Sequence, residues 1–176
     1  TREFFVNLRS MDMLGHIIWT MQDARRRTLK LLGDIADPVL CWRPSEDSNS
    51  IGSIAIHIAR VEDALSAGSL GFGEEIFLSD QWHNKLKLAN DDWGWGFDTL
   101  KTSEQPSVEL LVAYLNAVRA HTFPHIQQLT SMRLGAEVPG RRIRTVAQAL
   151  SFVVNEELQH LGQMDYLRGL KAVIDA

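Results

Sequence analysis

The 176-residue sequence has one cysteine, Cys41, so no internal disulfide can form, as is ordinary for a reducing compartment. It also has no long basic run. Lys and Arg number 18 against 22 Asp and Glu, for a formal charge of −4, which gives no purchase on a phosphate backbone and argues against nucleic acid as a partner. The apolar runs are too short to span a membrane, and the first residues lack the basic-then-apolar pattern of a signal peptide. A cytoplasmic protein with no membrane partner is therefore expected. Internal repeats, low-complexity tracts and glycine-rich phosphate loops are missing as well. The length suits one domain over residues 1–176 with a single core.

What is present is a helical period in four places, each with a start signal before it. The first segment runs from about Ser10 to Leu32, with Leu14, Ile17, Ile18, Met21 and Ala24 on one face and Gly33 at the C-terminal cap position. A second follows Asn49-Ser50 and places Ile51, Ile54, Ile58, Val61 and Leu65 on a stripe ending at Gly68. The third follows Pro106-Ser107 and buries Leu111, Val112, Leu115, Val118 and Ile126, with Pro124 expected to kink or end it. A fourth opens on Thr145-x-x-Gln148, a capping-box pattern, and presents Val146, Leu150, Val153, Leu161, Met164 and Leu167. One apolar stripe and one polar face on each helix predict an all-α, antiparallel four-helix bundle.

Between the second and third helices, residues 69–105 are too many for a turn and carry Phe72, Phe77, Trp82, Trp93, Trp95 and Phe97. Such aromatics argue against disorder, because they must pack somewhere. They either cap the core or line a ligand pocket.

Acids and histidines at helical spacing are the candidate chemistry. An acid four residues before a histidine shares its helix face, but with this composition roughly one such pair is expected by chance. Position relative to the apolar stripe separates the pairs. Asp12 and His16 fall opposite the stripe of the first helix, and His121 and His125 lie toward the polar flank of the third near Pro124. His160 instead falls within the stripe of the fourth helix, with Glu156 on its edge and Glu157 inside it; on the second helix His57 flanks the stripe and Glu62 lies on it. A histidine satisfied within a core is the commoner fate of any one such residue. Buried carboxylates, however, cost several kcal/mol, roughly, unless a cation or donor meets them.

The wider pattern is more specific. Trp42-Arg43-Pro44, Asn49-Ser50-Ile51-Gly52, the run from His57 to Glu62, and Glu156-Glu157-Leu158-Gln159-His160-Leu161-Gly162-Gln163 with Asp165 and Arg168 resemble the DinB-like superfamily of helical metalloproteins. The resemblance implies a four-helix bundle, often a homodimer, with a divalent metal held by a histidine of the second helix and two residues of the fourth. Many members carry histidine at both fourth-helix positions. Glu156 at the first of them looks like the set found in the mycothiol-dependent maleylpyruvate isomerase branch, which implies His57, Glu156 and His160 as ligands. At 176 residues the sequence is expected to leave no room for the isomerase's extra C-terminal domain, so that enzyme's substrate is not expected to transfer.

Three protein ligands leave an open position on a zinc-type ion, as at catalytic sites. The expected function is a metal-dependent transferase that activates a low-molecular-weight thiol toward a small-molecule substrate, or a related hydrolase, with zinc or nickel as the ion. Glu62, Glu157 and Gln163 are candidates for supporting or proton-handling roles, and Arg43, Arg60 and Arg168 for receiving an anionic group. Two other classes compete. A carboxylate-bridged di-iron bundle needs about four acids with Glu-x-x-His on two helices, and only Glu157-x-x-His160 is present. A non-enzymatic binding or stress-response bundle would use the aromatic segment as its pocket.

Overall fold

A computed structural model describes residues 12–88, 106–140 and 142–176. Helices account for all the regular elements among them: α1 (Met13–Gly33), α2 (Asp37–Cys41), α3 (Ile51–Gly68), α4 (Ile76–Ser79), α5 (Trp82–Lys85), α6 (Val108–Gln127), a 3-10 turn (Arg133–Gly135) and α7 (Val146–Ile174).

The four long helices start where short polar side chains take up orphaned backbone donors. Asp12 accepts from Gly15 N at 2.8 Å and Ser107 from Leu110 N at 3.3 Å. At α3 the capping box is built from two serines, Ser50 accepting from Ser53 N while Ser53 Oγ accepts from Ser50 N. At α7 Thr145 caps Gln148 N as expected, but the Gln148 side chain reaches past the cap to Arg144 N at 2.8 Å. Proline 124 does not break α6, which ends at Gln127, within a turn of it.

Packing joins α1 to α6 and α7, and α3 to the same two helices, which closes a ring of four. The helix directions follow from two apolar clusters. One gathers Leu31 and Leu32 from the end of α1, Ile51 and Ile54 from the start of α3, Leu111 and Leu115 from the start of α6, and Leu161 and Met164 from the later part of α7. The other gathers Ile17 and Met21, Leu65, Ile126, Val146 and Leu150 from the opposite ends. Hence α1 and α7 run one way, and α3 and α6 the other. The bundle contains antiparallel neighbours, as expected, but also two parallel pairs, and a parallel α3–α6 pair requires the long crossover of residues 69–107.

Described residues of that crossover cap the core. Phe72, Phe77 and Trp82 are buried, whereas Trp93, Trp95 and Phe97 lie outside the described residues. Its covering explains why α3 departs from the one-stripe expectation: every residue from Ile51 to Ser66 is buried. The crossover is tied down by Asp63, whose carboxylate accepts from Ile76 N at 3.0 Å and Phe77 N at 2.9 Å. Arg60 bonds Glu75 at 2.8 Å and lies 3.8 Å from the centre of the Phe77 ring. Replacing Asp63 with alanine strands two buried amides, so chemical denaturation should show a loss of about 1–3 kcal/mol per unsatisfied donor, with α4 losing amide-exchange protection first.

Candidate metal centre

His57 sits near the middle of α3 with its side chain on the α7 side, and α7 places Glu156 and His160 one turn apart on the face turned toward it. The Glu156 Oε2 atom lies 3.3 Å from His57 Nε2 and 3.2 Å from His160 Nε2. One ligand atom from each residue falls within 4.8 Å of the others, the only such grouping of histidine, cysteine and acid side chains among the described residues. The imidazole rings meet edge to face with centroids 4.7 Å apart. Both histidines are 5 % exposed, while the Glu156 side chain is 21 % exposed. The site is therefore a buried pair of rings with a partly exposed carboxylate at its rim.

The two carboxylate-to-imidazole distances are compatible with a shared ion. Four ligands at about 2.0–2.1 Å around a tetrahedral ion lie roughly 3.3–3.4 Å apart, whereas charge-assisted N–H to carboxylate bonds close to about 2.7–2.9 Å. His160 is also oriented from behind, since its Nδ1 lies 2.8 Å from Gln163 Oε1. With the amide oxygen as acceptor, Nδ1 carries the proton and the Nε2 lone pair faces Glu156 and His57. Of the three expected supporting residues, Gln163 contacts a member of the triad by a hydrogen bond, at His160. Gln163→Leu should weaken metal affinity by about 10–100-fold at nearly unchanged stability, as read by competition with a chromophoric chelator.

Glu62 and Glu157 occupy a different place. Arg25 of α1 bonds both, at 2.8 Å to Glu62 and 2.7 Å to Glu157, and Arg119 of α6 bonds both again, at 2.8 Å and 3.1 Å. Thr122 donates to Glu62 at 2.6 Å, and the third Arg25 donor group, Nη1, goes to the Leu115 carbonyl. All four helices meet in this layer, which lies between the two apolar clusters. Burial alone would raise the Glu62 carboxyl, but Arg119, Arg25 and the hydrogen bonds from Arg119 and Thr122 bring it down to about 2. Arg119 is burdened by burial in the same way, yet Glu62 and Glu157 hold its pKa above the usual value. Both carboxylates are filled by guanidinium donors, an arrangement suited to joining helices rather than to carrying protons.

Sequence reasoning missed Arg25 and Arg119. A signal for one was available: Arg25 falls on the stripe of Met21, Ala24 and Thr28, and two buried acids call for cations to face them. Among the arginines considered for an anionic substrate, Arg60 is buried against Glu75, Asp63 and Phe77, and Arg168 bonds Asp165 at 2.6 Å. His16 is exposed, as expected, but Asp12 caps α1 and accepts from Ser131 rather than pairing with it. His121 and His125 lie edge to face with centroids 5.9 Å apart, and His125 also stacks on Phe72.

Comparisons with known proteins agree with this architecture. A solved structure, the crystal structure of the conserved protein of locus from Enterococcus faecalis, superimposes with a TM-score of 0.77 at 22 % identity, covering 90 % of this chain and 96 % of that one. At that identity the likeness establishes the fold alone. No curated protein matches the chain. A family model described as the DinB superfamily matches residues 20–164, which include all three residues of the triad, and on that match the chain belongs to the DinB superfamily.

Proposed function

We propose that this DinB-superfamily chain holds a divalent metal ion through His57, Glu156 and His160 and is a metal-dependent enzyme acting on a small molecule. The observation that carries the proposal is the convergence of one ligand atom from each of the three residues within 4.8 Å, with the Glu156 oxygen 3.3 Å and 3.2 Å from the two imidazole nitrogens. Zinc suits two imidazoles and a carboxylate, and nickel accepts the same donors. An ion bound by one anionic and two neutral ligands keeps a net charge near +1 and favours the deprotonated form of a thiol or water placed beside it.

The protein's own groups do the rest. Gln163 fixes the His160 ring and its tautomer, and Glu156, on the rim, supplies the negative charge. Glu62 and Glu157, each bonded by both Arg25 and Arg119, set the register of α3 and α7 so that His57 faces His160. The resemblance of the His-Glu-His set to the mycothiol-dependent isomerase branch supports a low-molecular-weight thiol as cosubstrate and transfer to an electrophile as the reaction. Metal-assisted hydrolysis uses the same constellation with water as the nucleophile.

Elemental analysis of untagged protein purified without chelator tests the first half of this reading: one equivalent of metal is expected, retained by His16→Ala and lost by His160→Ala. Thiol consumption with a model electrophile tests the second half, and turnover that survives metal removal would refute it. A non-enzymatic binding bundle would hold the metal and give no turnover. A homodimer is also part of this reading. Besides Leu78 and Met132, the exposed apolar side chains are Met13 and Trp19 early in α1 and Tyr166, Val173 and Ile174 late in α7, and a two-fold contact would cover one of these two helix groups. Sedimentation at micromolar concentration should give twice the chain mass; a monomer would remove this part.

A further inference from the structure

The residues of α7 around and after His160 also form one wall of an open groove of about 600 Å³, whose other wall is the segment leading into α3. Its surface is mainly apolar, supplied by Pro44, Ile54, Leu167 and the ring of Tyr166, which is 69 % exposed. Asp47 is the one charged side chain among the described lining residues. Gln163, the partner of His160, lines the groove too, so the groove backs directly onto the metal centre.

A single acid with no cation among the described lining residues, an exposed aromatic ring and an apolar floor select one kind of occupant. A carboxylate or phosphate would meet Asp47 with no lining cation to offset it, and a purely apolar molecule would leave Asp47 unused. We propose that the groove is a binding site for a small organic cation with an apolar body, its ammonium group on Asp47 and its body against Ile54, Leu167 and Tyr166. Both the volume and the mixture of many apolar surfaces with few polar groups suit a small molecule, and an aromatic ring in the lining is a favourable neighbour for a positive charge.

The experiment is a set of NMR titrations of metal-free protein with three shape-matched probes: 2-phenylethylammonium, 2-phenylethanol and phenylacetate. Metal-free protein separates the outcome from that of the metal centre. The side-chain amide signals of Asn49 and Gln159 should move saturably, with the ammonium probe binding on the order of tenfold more tightly than the alcohol and the carboxylate most weakly. Asp47→Asn, an exposed and conservative change, should bring the cation to the alcohol's affinity and leave the alcohol unaffected. Tyr166→Ala should weaken both. Equal affinities for the cation and the alcohol, a cation preference that survives Asp47→Asn, or shifts confined to residues outside the groove would overturn the assignment.

Discussion

Arg25→Met is expected to cost about 3–5 kcal/mol of stability, the largest effect of any single change in the described residues, because it leaves two buried carboxylates short of one guanidinium. The side chain is nearly the same length, so the loss is one of charge and hydrogen bonds rather than of volume. Equilibrium unfolding in guanidinium chloride measures it directly. Arg119→Met should be similar but milder, since Arg119 is somewhat more exposed, at 12 % against 5 % for the Arg25 side chain. A loss below about 1 kcal/mol for Arg25→Met, the range of a surface ion pair, would show that the layer does not join the helices.

The same layer makes a prediction about acid. The Glu62 carboxyl is held at about 2 in the folded protein, against 4.5 for an ordinary glutamate. Because the folded pKa is the lower one, the unfolded chain binds the extra proton first. This contribution is complete above about pH 4.5 and is lost as the pH falls from there toward 2. Metal-free protein should therefore lose stability steeply over that interval, and Glu62→Gln should start lower and lose less.

The second large effect separates two adjacent acids. Glu156→Gln removes the anionic ligand but keeps its shape, and should lower zinc affinity by more than about a hundredfold, beyond the 10–100-fold usual for groups that only orient ligands. Its stability should hardly change, because Glu156 stands at the rim. Glu157→Gln should do the reverse. It spoils the pairing with Arg25 and Arg119 and should cost on the order of 3 kcal/mol or more, while a variant that still folds keeps its full metal stoichiometry. Full metal in the Glu156 variant and loss in the Glu157 variant would exchange the two assignments.

Much of this was legible in the chain because helix periodicity and caps are local. The stripes of the four long helices, the serine and threonine caps, and the inward placement of His160 and Glu157 can all be read from i, i+3 and i+4 spacing. Pairings between helices cannot. Nothing local says that Arg25 and Arg119 meet Glu62 and Glu157, since those contacts span many residues. The parallel α3–α6 arrangement was hidden for the same reason, although the length of the crossover carried a hint of it. The all-round burial of α3 depends on what the crossover covers, which no wheel projection of α3 alone can show. At the candidate metal centre the pattern pointed to the three residues, and the fold added the Gln163 contact and the convergence of their ligand atoms within 4.8 Å.

The central claim, that the triad is a metal centre, is tested most directly by a crystal structure of zinc-loaded protein with anomalous data collected at the zinc edge. The account predicts a single strong peak between α3 and α7, with His57 Nε2, a Glu156 oxygen and His160 Nε2 at about 2.0–2.2 Å from it. A zinc peak elsewhere, or one that His57 does not reach, would contradict it.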